Sequence, residues 1–105
     1  MLTVNKTVEN GSAVLALEGR LDTVTAPDLE SAVKEILPGL SGLTFDLRKL
    51  EYISSAGLRV LLSAQKAMNA RGKMTVTGVN ETIMEIFDIT GFSDILTIEQ
   101  VKDVH

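Results

Sequence analysis

Hydrophobic residues recur along the chain with two periods, one typical of strands and one typical of helices. Apolar side chains at alternating positions predict four strands, at residues 2–8, 13–17, 43–47 and 74–79. Apolar side chains spaced three and four residues apart predict three amphipathic helices, at residues 27–37, 55–71 and 81–90. Residues 95–98 are predicted to form a last short strand, and residues 99–105 a terminal helix or a frayed tail.

Turn and cap residues separate these elements. Asn10-Gly11 favours the tight turn of a β-hairpin, so we expect the first two strands to pair with each other. Thr25 and Asn80 are residue types that cap helix N-termini, and they precede the first and third predicted helices. Residues 18–22 are interpreted as a loop, and residues 48–51 as a polar joint.

The resulting order, β-β-α-β-α-β-α-β, predicts an α/β fold. After the hairpin, strands and helices alternate, so we expect a mixed, mostly parallel sheet of four to five strands packed with helices, in a single domain over residues 1–105. Functional groups of such sheets tend to lie beyond the carboxyl ends of the strands. Two loops leave such ends, at residues 19–23 and 52–57, and we expect them to lie near each other.

The composition argues against several classes of protein. The 105 residues include no cysteine and a single histidine, His105, so we expect no thiolate metal site, disulfide or Ser-His-Asp triad. Because no phosphate-binding loop or cofactor motif is present, we predict that the protein is not an enzyme and holds no cofactor. The net charge of −4, without a basic patch, argues against direct binding to nucleic acid.

Two further features predict the location of the protein. The first residues, MLTVNKTVEN, lack the long apolar run of a signal peptide. Nor does any segment reach the roughly 18 apolar residues that a membrane-spanning helix needs. We therefore expect no membrane span and a cytoplasmic location.

The segment LEYISSAGLRVLL, at residues 50–62, is the strongest candidate for a functional site. It runs from the end of a strand into the second helix, with Ser54 and Ser55 at the junction. Either serine can serve as the N-cap of that helix. A helix N-terminus also favours negative charge, so a phosphate on a serine there would be held without unfolding the turn. Gly57 lacks a side chain, which would let another protein's backbone approach closely.

Two more residues each have a structural and a functional interpretation. Asp22 is either a loop carboxylate or a general base, although no neighbouring residue completes a catalytic pair with it. Arg59 falls on the exposed side of its helix, opposite Leu61 and Leu62. It is either a solvated charge or a contact to a partner.

Three segments of the chain carry a family resemblance: GRLDTVTAPDL at 19–29, FDLRKLEYISSAGLRVLL at 45–62 and GKMTVTGVNETIMEIFDITGFSDIL at 72–96. Together they resemble the STAS domain of bacterial anti-sigma factor antagonists. The resemblance covers essentially the whole chain, and the middle segment is its most specific part. It implies a regulator of sigma-factor-dependent transcription, which binds an anti-sigma factor that is also a serine kinase and so frees the sigma factor.

The resemblance also implies a phosphorylation switch. The kinase phosphorylates a serine of the antagonist, the complex dissociates, and a PP2C-type phosphatase restores the antagonist. The family's phosphorylated serine falls on Ser55, and its loop aspartate falls on Asp22. Ser54 is the second choice, because this chain has serine where aspartate is common. The residues that we expect to bind the partner are Asp22, Thr23, Ser54, Ser55, Gly57, Leu58 and Arg59.

The alternative is a STAS module without a phosphoswitch. Such a module would be a scaffold in a stress-sensing complex or a component of a lipid-transport system. The serine at position 55 favours the switch, because it is the residue that a switch requires.

Overall fold

The chain begins with a β-hairpin whose turn is set by two residues with positive φ. In the computed structural model, which describes residues 1–99, strand β1 is Leu2–Glu9 and strand β2 is Ser12–Leu21. Asn10 and Gly11 form the turn, with φ of 48° and 81°. Positive φ at both positions matches the right-handed twist of the flanking strands. The predicted turn and the pairing of the first two strands are confirmed.

Helices and strands alternate along the rest of the chain. The elements are α1 Ala26–Ile36, β3 Gly42–Ile53, α2 Ser55–Asn69, β4 Lys73–Thr77, α3 Glu81–Thr90, α4 Phe92–Ile95 and β5 Ile98–Glu99. The five strands form one sheet in the order β1-β2-β3-β4-β5, parallel except for the β1–β2 pair. The predicted α/β fold with a mixed, mostly parallel sheet is confirmed.

The described helices cover one face of this sheet. Each parallel strand lies beside the strand that precedes it in the chain. Because crossovers between parallel strands are right-handed, the connecting helices lie on the same side of the sheet. That side holds the core, in which Phe45 and Phe87 are the largest fully buried side chains. The opposite face carries exposed polar residues such as Arg48 and Lys49.

Strand β3 is longer than predicted because two irregularities in its pairing turn extra residues inward. The polar joint expected at residues 48–51 is part of the strand, which continues to Ile53. Leu47, Leu50 and Ile53 are three residues apart, and a regular strand cannot bury that spacing on one face. The register of β2 against β3 shifts twice along this stretch, and each shift places one extra β3 residue opposite β2. All three side chains therefore reach the core.

Two other predicted boundaries are corrected. Strand β2 continues through residues 18–21, so the loop expected at 18–22 begins only at Asp22. Near the C-terminus, the short helix α4 precedes the last strand, which lies at Ile98–Glu99 rather than at 95–98. Of the helix or tail predicted over residues 99–105, Glu99 belongs to the last strand and the rest lies outside the described residues.

Candidate functional site

The loops that follow β2 and β3 lie side by side at one edge of the sheet, as predicted. Leu21 and Ile53, the last residues of these strands, are paired in register. The N–H of Ser54 donates to the carbonyl oxygen of Leu21 at 2.8 Å and ties the two loops together. The aspartate loop, residues 22–25, and the serine turn, residues 54–57, therefore form one continuous surface.

A stacked pair of side chains lies immediately before the two loops. Arg20 is paired in register with Tyr52, and its guanidinium carbon lies 4.5 Å from the centroid of the tyrosine ring. Such a cation–π contact at an exposed site is worth about 0.5–1 kcal/mol. It holds together the strand ends from which both loops emerge.

Ser54 is the residue that caps α2. Its backbone is extended, with φ of −96° and ψ of 175°, and its Oγ accepts a hydrogen bond from the N–H of Gly57 at 3.4 Å. Its carbonyl oxygen accepts an intrahelical bond from the N–H of Leu58 at 2.9 Å. Because Ser54 is half-buried and bonded in this way, its hydroxyl serves the fold.

Ser55 is the first residue of α2, and its side chain is exposed. Within residues 1–99, its hydroxyl forms no hydrogen bond. A phosphate here would lie beside the unpaired N–H groups and the partial positive charge of the helix N-terminus. Ser54 thus caps the helix, and Ser55 carries the hydroxyl that is free among the described residues. The sequence alone does not show which serine has which role.

Asp22 organises the aspartate loop. Its Oδ1 accepts hydrogen bonds from the N–H groups of Val24 and Thr25, both at 3.0 Å. Its own N–H donates to Oγ1 of Thr25 at 2.8 Å, and its carbonyl oxygen accepts from the N–H of Ala26 at 2.8 Å. The Asp22 carboxylate is therefore bound to the loop itself, and its role is to position the loop.

Thr25 serves the loop rather than the helix that follows. It stands at the N-cap position of α1, but its side chain makes no capping hydrogen bond, contrary to the sequence prediction. Its buried hydroxyl lies 2.9 Å from the carbonyl oxygen of Arg20, to which it donates. Its backbone is helical, with φ of −94° and ψ of −19°, and not extended as at a residue whose side chain caps a helix.

The loop makes stability depend on the charge of Asp22. Hydrogen bonds from Thr25 and Val24 hold the pKa of Asp22 below its ordinary value of 3.8. A lowered pKa contributes stability that is present above the pKa of the unfolded chain and is lost as the pH falls through the folded value. We therefore expect Asp22→Asn to unfold more easily than the wild type near neutral pH, and the difference to shrink below about pH 3.8.

Urea titrations at neutral and acidic pH measure this difference in the free energy of unfolding. Asp88→Asn, which also removes one carboxylate from an exposed residue, is the control for the loss of a charge. A difference between wild type and Asp22→Asn that grows as the pH falls would contradict the role assigned to Asp22.

The aspartate loop presents an apolar side chain to solvent. Val24 is 84% exposed, although the hydrogen bond from its N–H to Asp22 fixes its backbone. Single exposed apolar residues are common, but this one lies on a hydrogen-bonded loop next to the serine turn. Sequence reasoning missed Val24, and the only signal is an apolar β-branched residue inside a loop of hydrogen-bonding residues.

Gly57 and Leu58, which the sequence predicts to bind a partner, face the core. Both are buried. A Cβ at Gly57 would lie 2.6 Å from Cγ of Leu21 and 2.9 Å from Cγ1 of Ile53. The missing side chain thus lets α2 approach the ends of β2 and β3, and it does not open the helix to another protein's backbone.

Gly57→Ala is expected to destabilise the protein even though alanine favours helices. The added Cβ overpacks the contact with Leu21 and Ile53, at a cost of about 1–3 kcal/mol. Up to about 1 kcal/mol is regained because alanine has the higher helix propensity. Urea unfolding measures the net loss, with Ser63→Ala on the exposed face of α2 as the control. Equal or higher stability of Gly57→Ala would show that α2 can move away from the sheet.

A cleft separates the starts of α1 and α2. Thr23 and Glu30 line one side, and Ala56 and Arg59 line the other. Arg59 is exposed and lies one helical turn beyond Ser55. Of the residues predicted to bind a partner, the structure thus places Thr23, Ser55 and Arg59 on one exposed surface. Asp22 and Ser54 support that surface through hydrogen bonds.

Among residues 1–99, no cluster of His, Cys, Asp or Glu side chains could hold a metal ion. The described helices include none that is long and apolar enough to cross a membrane.

The fold and the two joined loops match a known class of domain. The model of the STAS domain family matches residues 3–104. The chain therefore belongs to the STAS domain family, as its sequence segments predict.

Similar proteins define the group within this family more closely. The anti-sigma-B factor antagonist of Listeria monocytogenes is 32% identical over 87 residues, which cover 80% of this chain and 75% of that protein. The crystal structure of an anti-sigma factor antagonist from Mycobacterium paratuberculosis superposes with a TM-score of 0.88 at 23% identity, covering 98% of this chain and 89% of that one. The Bacillus cell fate determinant SpoIIAA in its phosphorylated form superposes with a TM-score of 0.75 at 14% identity, covering 98% and 93%. The two structural matches show a shared fold.

Proposed function

We propose that the protein is an anti-sigma factor antagonist controlled by phosphorylation of Ser55. It binds an anti-sigma factor that is also a serine kinase, and this binding frees a sigma factor for transcription in the cytoplasm. Phosphate transfer to Ser55 then breaks the complex, and a PP2C-type phosphatase restores the unmodified protein. The relatives named as anti-sigma factor antagonists support the first part of this proposal, and the phosphorylated form of SpoIIAA supports the second.

The observation that carries the proposal is the division of roles between Ser54 and Ser55. The hydroxyl oxygen of Ser54 caps α2, and the residue is half-buried, so a kinase would have less access to this hydroxyl. The hydroxyl of Ser55 is exposed, so a kinase can reach it without disturbing the cap. Ser55 can therefore switch between a neutral group and a charge of roughly −2 while the fold persists.

The physical effect of the phosphate explains the release of the partner. Thr23 and Ser55 have short side chains, so a partner can approach the unmodified surface closely at these two residues. A phosphate adds bulk and charge at its centre, and an interface built for a neutral hydroxyl would have to desolvate that charge. Asp22, Ser54, Gly57 and Leu58 keep the surface in shape from beneath it.

The test of antagonist activity is displacement of the sigma factor. The purified protein is added to the complex of the anti-sigma factor and sigma factor from the same genome, and free sigma factor is measured by size-exclusion chromatography. We expect the unmodified protein to release the sigma factor and a Ser55-phosphorylated preparation to leave the complex intact. Binding of the unmodified protein without release would favour the scaffold alternative.

A further inference from the structure

We propose that the groove between α1 and α2 holds an acidic, amphipathic segment of the anti-sigma factor, and that Arg59 and Lys66 form its cationic rim. This inference rests on the proposed function, because it assigns the surface used by the same partner. It extends the contact from the serine turn along the length of α2.

The groove begins at the serine turn and follows both helices. The cleft beside Thr23 and Arg59 continues into a second cleft, and Glu30 and Val60 line both. The floor of the second cleft is apolar and consists of Val33, Leu37, Val60, Ala64 and Ala67. Because the α2 side chains in this floor are short, a partner segment can approach the helix closely.

The α2 rim of the groove is positively charged in a protein that is acidic overall. The net charge is −4, yet residues 55–73 carry four cationic side chains and no Asp or Glu. Ser55, Arg59 and Lys66 are spaced by four and seven residues, so they share one face of α2, and all three are exposed. Within residues 1–99, neither Arg59 nor Lys66 forms an ion pair.

On the α1 rim, by comparison, positive and negative charges balance. Lys34 lies there with its Nζ 3.6 Å from Oε1 of Glu30, a pair spaced by four residues. The unbalanced charge of the groove therefore lies on α2, and a complementary partner surface is acidic. The apolar floor requires that the same segment also carry an apolar side, which is the arrangement of an amphipathic helix in a groove.

A second copy of this chain does not fit the groove as well. Its most acidic helix is α3, which exposes Glu81, Glu85 and Asp88. The apolar side of α3, formed by Ile83 and Phe87, is buried in its own core, and Ile89 is the one large apolar side chain that this helix exposes. A copy could thus offer the charge but only a single apolar side chain for the floor, so the occupant is a segment of another protein.

The groove also connects Ser55 to the rest of the interface. Arg59 follows Ser55 by four residues, the spacing at which side chains on a helix interact. A phosphate on Ser55, with a charge of roughly −2, would attract the Arg59 guanidinium and offset its charge. Phosphorylation would in this way weaken the attraction for an acidic segment along the groove, in addition to its local effect.

Charge reversal on the rim tests the inference. Arg59→Glu and Lys66→Glu are titrated by calorimetry against the purified anti-sigma factor of the same genome, at low and high salt. We expect each variant to raise Kd about tenfold or more at low salt, and the effect to diminish at high salt. Lys49→Glu makes the same change of charge on the opposite face of the sheet, and it is the matched control with an expected change within about twofold.

A second variant tests the apolar floor. Ala67→Glu places a long acidic side chain in the floor of the groove, and we expect it also to raise Kd about tenfold or more. Unfolding in urea verifies that each variant remains folded.

The possible outcomes separate this inference from the proposed function. Unchanged affinity of Arg59→Glu and Lys66→Glu, or an equal loss in Lys49→Glu, would overturn the groove assignment while antagonist activity stands. Loss of affinity in Arg59→Glu and Lys66→Glu but not in Ala67→Glu would contradict the proposal that the partner segment is amphipathic. No binding by the wild type would contradict the proposed function, and this inference with it.

Discussion

Ser55→Glu is expected to weaken binding to the anti-sigma factor kinase by about 3–4 kcal/mol, which raises Kd several hundred-fold. The carboxylate would lie at the position where the partner contacts a neutral hydroxyl in the wild-type complex. Formation of the complex would then require desolvation of this carboxylate. It would also lie one turn from Arg59, whose charge we assign to the partner's acidic segment. The fold should persist, because Ser55 is exposed and its hydroxyl bonds to none of residues 1–99.

Calorimetric titration of Ser55→Glu against the purified kinase measures this effect. Ser55→Ala is the matched control, and it should bind with the affinity of the wild type because it adds no charge. Ser54→Ala should behave differently from both, since it removes the cap of α2 and lowers stability by about 1 kcal/mol. Equal affinity of Ser55→Glu and Ser55→Ala would contradict a switch that acts through charge at Ser55.

Leu21→Ala is expected to lower the free energy of unfolding by about 2–5 kcal/mol. Leu21 is fully buried at the end of β2, and the carbonyl of the same residue holds the serine turn through the N–H of Ser54. Its side chain fills the space directly beneath Gly57. The substitution should therefore leave a cavity under the start of α2. Urea unfolding measures the loss, and Val24→Ala, a truncation at an exposed position, is the control with an expected change within about 0.5 kcal/mol.

The double variant Leu21→Ala/Gly57→Ala shows whether this cavity lies where we place it. The Cβ added at position 57 points at the atoms that Leu21 loses, so each change should relieve the other. We expect the loss in free energy of unfolding of the double variant to be smaller than the sum of the two single losses by about 0.5–3 kcal/mol. Simple additivity would show that the two residues do not share this contact.

The sequence predicts the architecture well because its signals are local. Apolar periodicity identifies α1, α2, α3 and most strands, and Asn10-Gly11 identifies the hairpin. Asn80 caps α3 as predicted, with its Oδ1 accepting from the N–H of Ile83 at 2.9 Å. In each case, the residues that give the signal are also the residues that form the bond or the turn.

The features that the sequence does not reveal depend on pairing across the fold. The length of β3 follows from two shifts in its register with β2, and those shifts are visible only when both strands are present. The inward role of Gly57 depends on its distance from Leu21, which is remote in sequence. The choice of Ser54 as the cap depends on its extended backbone. Sequence patterns therefore locate the site but do not divide the roles within it.

The most direct test of the central claim is the location of phosphate on the native protein. Trypsin releases LEYISSAGLR, which contains Ser54 and Ser55, by cleavage after Lys49 and Arg59. The protein is purified from its own cells during growth and under stress, and this peptide is fragmented by mass spectrometry. We predict phosphate on Ser55, at an occupancy that changes between the two conditions. A peptide that is unmodified in both conditions, or modified only on Ser54, would contradict the assignment of Ser55 as the switch.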